Sequence, residues 1–502
     1  MTRLRFRRTH SVLVLAALAG MGGCMVGPDY QRPEVQHSER FVGSRALEAR
    51  HSLPSNAPFE RWWQGFGDPV LDRLVDTALR QNLSLEQALA RRTQAQAFAQ
   101  GARAQLLPEG HADAGASRAR RSLQDPQVAT ERSVLPGFER SGTLYDAGIS
   151  SLWELDLAGG LRRGAEAALA EYQAAQADQA AARIQVAAGV IDGYLLVRLL
   201  QARLGVAEEQ VATQGAILRL VEVLKNRGLA PDRELQQSRA ELALAQASVP
   251  ALRTRLSAAR NNLDVLLARL PGTPDAGLDA PAPLPTAPRI EAAGGTAALL
   301  RGRPDLIVAE RRLAAANERI GQALAEYYPK VSLSALIGST TPHAGDLFSG
   351  DSKQAAATLG LRWRLFDFGR VDAEVQGAKG AYAGLLASYR EQVLEASAEV
   401  ENSISALLEG ERRAHLLGNS ERARAQARDA VLAGYRQGNA SHIELLETQA
   451  RLQQAQADRL DAAYDAAASA VTLYKALGGG WNGSIEADTT TSGSHHRSIA
   501  LN

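Results

Sequence analysis

The chain has 502 residues, with 44 Gly, 19 Pro, 11 Tyr and a single Cys. Apolar residues make up 45% and aromatics only 5%. Much of the apolar share is alanine, which favours helix but buries little area per residue. Long, closely packed helices are therefore expected rather than an aromatic core. Lys plus Arg is 56 against 55 for Asp plus Glu, a net charge of +1, so the chain carries no electrostatic footprint for nucleic acid. One cysteine excludes a disulfide framework, a four-thiolate zinc site and an iron–sulfur cluster. The one long apolar run that stands out is N-terminal, which argues against a bundle of membrane-spanning helices.

Arg3, Arg5, Arg7 and Arg8 precede an apolar stretch of eleven residues, Ser11 to Met21. That length suits the core of a signal peptide and is too short to span a bilayer. Gly22-Gly23-Cys24 follows. Small residues before a lone Cys resemble the bacterial lipoprotein signal, although Met21 stands where Leu is usual. The resemblance implies a signal peptide over 1–23 and acylation of Cys24, and Met25 after it implies sorting to the outer membrane.

The sequence repeats itself. Lys225–Gln246 and Tyr435–Gln456 align, with Gly228 matching Gly438 and Leu235 matching Leu445, 210 positions apart; Trp153 and Trp363 share that spacing. Upstream, Leu85 and Leu306, and Pro108 and Pro329, are 221 apart. An 11-residue deletion is thus expected between Pro329 and Trp363. Units this long indicate a duplicated domain rather than a solenoid. The segments are expected as 24–70 (extended, lipidated), 71–270 (repeat one), 271–300 (Pro-rich linker), 301–480 (repeat two) and 481–502 (a polar tail, expected to be disordered).

In chain order, each repeat opens with a helix, about Leu71–Leu107 and about Pro304–Tyr328, stopped by a proline. A β-hairpin follows, about 110–156 and about 330–368. Its strands alternate apolar and polar residues at period two, most clearly in Val331-Ser-Leu-Ser-Ala335. A polar Gly/Pro/Asp loop joins the strands. Proline-free helical patterns then run over 161–227 and 370–437. Val186, Val190, Tyr194, Val197, Leu200 and Leu204 form a stripe in the first, and Val393, Ala396, Val400, Ile404 and Leu407 in the second. Gly228 and Gly438 end them, and return helices are expected over 231–270 and 441–477. Each long helix would measure about 100 Å, too long for a globular domain.

Four strands with one lipid-like face cannot span a membrane alone, because open edges are forbidden there. A membrane barrel closes, usually with eight or more strands. Other copies of the chain would have to complete it. On these patterns alone, a soluble helical lipoprotein with a small side sheet stays open as the alternative.

Four blocks carry a family resemblance: Cys24-Met-Val-Gly-Pro-Asp-Tyr-Gln-Arg-Pro33, Arg61-Trp-Trp-Gln-Gly-Phe-Gly-Asp-Pro-Val-Leu71, Arg303-Pro-Asp-Leu-Ile-Val-Ala-Glu310 and Leu365-Phe-Asp-Phe-Gly-Arg370. With Gly434-Tyr435, Gly438 and Glu444-Leu-Leu-Glu447, they resemble the TolC-like outer-membrane factors, in the NodT/OprM-like lipoprotein branch. The resemblance implies an α+β membrane protein: a homotrimer with a twelve-stranded β-barrel continued by a long periplasmic α-helical coiled-coil barrel. It implies the exit duct of a tripartite efflux system, with a periplasmic adaptor and an inner-membrane pump of the RND type. A type I secretion duct, or a structural coiled-coil lipoprotein, is the alternative. No enzyme motif appears and no cofactor or metal is expected; His495-His496 in the tail is not a convincing metal site.

The site residues follow from that frame. Tyr145, Ile149, Trp153, Leu333, Ile337, Leu361 and Trp363 are expected to face lipid; Asp146, Glu154, Arg362 and Arg364 are expected to face the lumen. The tips at Gly228, Leu229, Gly438 and Asn439 are expected to dock the adaptor. By resemblance, Glu444 and Glu447 match the family's constriction carboxylates. Ile443, Tyr435 and Glu234, the repeat-one counterpart of Glu444, are expected to join them in a periplasmic gate. Arg227, Arg233 and Arg436 are candidate partners of its carboxylates.

Overall fold

The structure is a computed structural model describing residues 25–35, 40–50, 58–288, 290 and 302–481. Cys24, the signal segment and the polar tail lie outside the described residues. The chain divides into two compact units. The first holds residues 1–33, 93–172 and 310–387, and the second holds 34–92, 173–309 and 388–502.

The described elements run α1 (Ser44–Glu48), α2 (Pro69–Gln81), α3 (Leu83–Ala104), β1 (Glu109–Arg120), α4 (Pro126–Val134), β2 (Ser141–Leu155), α5 (Gly160–Asn226), α6 (Asp232–Leu266), α7 (Ala276–Asp279), α8 (Pro304–Ala325), β3 (Lys330–Thr341), β4 (Lys353–Arg362), α9 (Arg370–Arg436) and α10 (His442–Ala476). A short 3-10 helix, Phe59–Phe66, precedes α2. The internal repeat is metrical. α5 and α6 recur as α9 and α10, displaced by 210 positions at every boundary. α3 and β1 recur as α8 and β3, displaced by 221.

The 11-residue difference sits in the hairpin loops. Repeat one carries α4 there, capped by Asp125, whose carboxylate accepts from Gln127 and Val128 N–H. Repeat two has only a three-residue turn, Ala344–Asp346. The polar Gly/Pro/Asp connection expected between the strands thus contains a short helix in repeat one. The expectation of one helix from Leu71 to Leu107 is corrected: two helices, Pro69–Gln81 and Leu83–Ala104, cover it. Asn82 adopts an extended ψ of 129°, and its side-chain oxygen accepts from Ser84 and Leu85 N–H. A side chain that caps the next helix competes with continuing the last one.

In the first unit the four strands form one antiparallel sheet in the order β1-β2-β3-β4. In the second, Trp62, Trp63, Leu71, Leu74, Val190, Ile191, Tyr194 and Leu263 are buried in one core with Val400, Ile404, Leu407, Val471 and Tyr474. Both repeats thus share it. Trp62 stacks on Tyr474 at 4.3 Å, and Tyr194 is hydrogen-bonded to Asp68, the cap of α2. An 18-residue window of α5 is apolar enough to cross a membrane, yet half of it is buried inside the protein. α5 thus adds a long apolar run to the N-terminal one, and burial explains it.

Candidate functional site: sheet faces, N-terminal clasp and helical turns

Register decides which residues share a face. Tyr145 pairs with Thr341, Ile149 with Ile337 and Trp153 with Leu333; Leu333 pairs with Leu359 and Val331 with Leu361. Directly paired residues point the same way and alternate along each strand. Tyr145, Ile149, Trp153, Leu333, Ile337 and Leu361 therefore lie on one face of the sheet, and Trp363 continues it just past β4. Ile149, Ile337, Leu361 and Trp363 are largely exposed in the single chain. No carboxylate lies on that face. Glu109, Asp113, Asp146 and Glu154 all lie on the other, with His111. Arg362, paired with Lys330, is on that polar face. Arg364 lies beyond β4 and pairs with Glu326 at 2.9 Å and Glu374 at 3.2 Å.

The segment after Cys24 is held residue by residue in the first unit. Arg163, near the start of α5, is almost fully buried. Its guanidinium donates to Val26 O and Gly27 O at 3.1 Å, to Asp29 at 2.9 Å and to Glu318 at 2.6 Å. Asn317 donates to Pro28 O at 2.8 Å. Gly27 has φ +97°, and a Cβ there would meet Gly321 Cα at 2.5 Å, so only glycine fits. These contacts give the Gly-Pro-Asp block a structural reason that spacing alone does not reveal.

The two turns between long and return helices have one design. Gly228 (φ +73°) and Gly438 (φ +80°) take the left-handed conformation. Leu229 N–H reaches Leu224 O at 2.9 Å and Asn439 N–H reaches Gly434 O at 2.8 Å, the bonds of a glycine-terminated helix. Gly228, Leu229, Gly438, Asn439 and Ile443 are exposed. Beneath them Ile217, Val221, Leu235, Tyr435 and Leu445 form a small core.

Of the expected gate residues, Glu444 and Glu447 are exposed on α10. Glu444 N–H donates to the Ser441 cap at 3.1 Å, so Ser441 and Glu444 have capping-box spacing. Glu447 pairs with Arg451 at 3.0 Å, one turn along its own helix, rather than with Arg227, Arg233 or Arg436. Tyr435 is buried, and burial together with the charge of Glu234 pushes its phenol up to about 12. His442 is buried beside it, ring centres 5.7 Å apart, and shares a 2.9 Å hydrogen bond with Ser238 of α6. Burial lowers the imidazole pKa. The structure thus gathers Glu234, Tyr435, His442 and Ser238; His442 and Ser238 carried no sequence signal beyond their place near the turn.

The Arg303-Pro-Asp block is an ion-pair node. Arg303 donates to Glu399 at 2.8 Å, to Asp305 at 2.7 Å and to Ala476 O at 2.8 Å. It ties the start of α8 to α9 and the end of α10. Among the described residues, no group of three or more His, Cys, Asp or Glu could hold a metal ion.

The outer membrane efflux protein family model matches residues 74–269 and 297–479, once per repeat. The chain is 34% identical over 443 residues to the pyoverdine export outer membrane protein OpmQ of Pseudomonas putida, covering 86% of this chain and 90% of that protein. It is 30% identical over 475 residues to the solvent efflux pump outer membrane protein SrpC of Pseudomonas putida, covering 94% and 98%. Its fold matches the outer-membrane channel OprN with a TM-score of 0.82 at 30% identity, covering 91% of this chain and all of that one. The fold class is that of the TolC-like outer-membrane channels, mostly helical with four strands per chain. On both repeats and over most of its length, the chain belongs to the outer membrane efflux protein family, and it is an outer-membrane efflux channel.

Proposed function

We propose that three copies of the chain form the exit duct of a tripartite efflux system. Four strands from each would make a twelve-stranded barrel, and the long helices would extend it into the periplasm. One observation carries this reading: the sheet has a carboxylate-free apolar face, a polar face, and unpaired edges at β1 and β4. Such a sheet satisfies its edges in a bilayer only by closing with further copies. The exposed Gly228 and Gly438 turns would meet a periplasmic adaptor, which couples the duct to an inner-membrane pump of the RND type. Cys24 would carry the acyl anchor, adding about 0.8 kcal/mol per buried methylene. Glu444, Glu447, Glu234, Ile443 and Tyr435 would form the resting gate. The named exports of the relatives, pyoverdine and solvents, favour small molecules over proteins as cargo. No catalytic step or cofactor enters this reading.

The full-length protein, extracted from outer membranes and reconstituted in planar bilayers, tests it. A three-chain mass in detergent with stepwise ion conductance is expected. A one-chain mass, or a three-chain particle without conductance, would overturn it.

A further inference from the structure

The apolar sheet face carries a second pattern that the duct reading does not use. Arg118 pairs with Thr143 and Arg120 with Ser141, so both stand on the Tyr145 side. Lys353 pairs with Ser339, which is on the same side through Ala147. All three cations lie toward the hairpin-loop end of the sheet. All three are exposed, and none makes a salt bridge among the described residues. The nearest arginine in sequence, Arg121, is already paired with Glu131 at 2.6 Å. No acidic strand residue shares this face, so the charged strand residues at its outer end are all cations.

The face also has a bilayer-sized apolar band. Trp153 and Tyr145 are eight residues apart on β2, roughly 27 Å along the strand. With the usual 35–45° tilt, that is about 20 Å of height between two aromatic levels. The Trp level adjoins the helices, which extend into the periplasm, so the hairpin loops face the exterior. Arg118 and Arg120 therefore stand past the Tyr145 level, where the outer leaflet's headgroups begin, and Lys353, in register with Ser339 and Ala147, stands just inside it, where a long side chain can reach the same boundary.

We infer that Arg118, Arg120 and Lys353 form a docking surface for the phosphates of the phosphorylated glycolipid, lipopolysaccharide, of the outer leaflet. This rests on the assignment of that face to lipid. Guanidinium forks suit bidentate phosphate contact, and lysine serves as a reaching point charge. A face that met only neutral acyl chains would have no use for three unpaired charges. A lumen-facing ring would place them among Asp113 and Asp146, on the side opposite to where they stand. The surface would fix the barrel's depth and hold a shell of lipid around it.

The test uses the full-length assembly in neutral detergent micelles, with purified hexaacyl bisphosphorylated lipid A as probe. Wild type is expected to bind it, and R118Q/R120Q/K353Q to bind at least about tenfold more weakly, since each cation near an anionic surface adds roughly fivefold. Enzymatically dephosphorylated lipid A is expected to bind wild type as weakly as the variant binds the intact lipid. Equal affinity of variant and wild type would overturn the inference, as would full displacement of lipid A by millimolar inorganic phosphate, which would mark a free-anion site. A separate readout guards the underlying assignment: an environment-sensitive fluorophore on Ile337→Cys, in reconstituted bilayers, should be quenched by acyl-chain nitroxide lipids. Quenching with no loss of lipid A binding in the triple variant removes the docking surface alone. Absence of quenching removes the lipid-facing assignment and the inference with it.

Discussion

The indole N–H of Trp363 donates to the main-chain carbonyl of Tyr327 at 2.9 Å, and Trp153 makes the same bond to Leu106 at 3.0 Å in the other repeat. Each bond ties the helix-side end of a strand to the chain leaving the preceding helix. Trp363→Phe keeps the apolar ring and removes only the donor. A net cost of about 0.5–1.5 kcal/mol is expected. The two sites lie in different repeats, so Trp153→Phe/Trp363→Phe should be close to additive. The temperature at which the SDS-resistant assembly dissociates measures it. No drop in the double variant would show that the bonds do not hold the junction.

Face assignment can be tested at one pair of positions. Ile337 is on the apolar face, and Ser334, three residues earlier, is on the polar one. Ile337→Arg should cost about 2–4 kcal/mol if the site is near the bilayer midplane, while Ser334→Arg should leave assembly intact. Outer-membrane yield of folded protein separates the two. Equal yields would contradict the assignment.

The repeat was legible because identical spacing survives sequence drift: one glycine turn and one tryptophan per repeat locate the ends of the long and return helices within a few residues. The strand at Glu109–Arg120 was faint, because its Tyr145 side offers only Gly110, three alanines and two arginines, with no β-branched or aromatic residue to set against Glu109, His111 and Asp113 on the other. Asn82 hid a helix break, since neither proline nor glycine marks it and the capping bond is visible only in three dimensions. Asp125-Pro126 is a helix-start signal that could have revealed α4. In the single chain Glu447 pairs with Arg451, one turn away at the spacing helices favour, a pair the sequence offers beside the candidate partners Arg227, Arg233 and Arg436. Glu318, which pairs with Arg163, and Glu399, which pairs with Arg303, lie more than 90 residues off in sequence, and no local pattern encodes them.

Arg303 is a test of the node that joins α8, α9 and α10. Arg303→Ala leaves Glu399 and Asp305 facing each other without their cation. Fully buried pairs lose about 3–5 kcal/mol when broken so. Asp305 and Glu399 both reach solvent, so about 1–3 kcal/mol is expected here. For Asp305, burial raises the carboxyl pKa, but the Arg303 hydrogen bond and charge outweigh it and leave it lowered. A lowered carboxylate stabilises the fold above its unfolded pKa and loses that contribution as pH falls through the folded value. The gap between wild type and Arg303→Ala should therefore be widest near neutrality and close in strong acid. A gap independent of pH would assign the effect to packing.

Asp192 on α5 has the opposite sign. Burial pushes its carboxyl up to about 6, with Lys475 opposing weakly, and one of its oxygens is buried without a hydrogen-bond partner. The folded state holds this proton more tightly than the unfolded one. Stability is therefore lost as pH rises from about 4 to about 6 and stays lost above. Asp192→Asn should escape that loss, gaining up to about 3 kcal/mol at pH 8 and nothing near pH 4. Denaturant midpoints at the two pH values decide it; a variant less stable than wild type at pH 8 would mean the carboxylate is satisfied in the assembly.

The proposed gate residues give the functional test. Glu444 and Glu447 share a face of α10 at i, i+3 spacing, just after the Gly438 turn where both repeats' helices end. Three copies around an axis would bring six carboxylates to one constriction, favouring cations and holding water by charge. The Glu447–Arg451 pair is exposed on both sides, and such pairs add about 0–1 kcal/mol. Either single alanine variant should therefore open the duct only in part. Tyr435 and Glu234 pack beneath, so Tyr435→Phe should widen it less than Glu234→Ala, which also strips the charge beside the phenol. Planar-bilayer recording of Glu444→Ala/Glu447→Ala should show higher conductance and weaker cation selectivity, and cells carrying it should become sensitive to vancomycin. Conductance, selectivity and vancomycin tolerance all equal to wild type would remove both carboxylates from the gate.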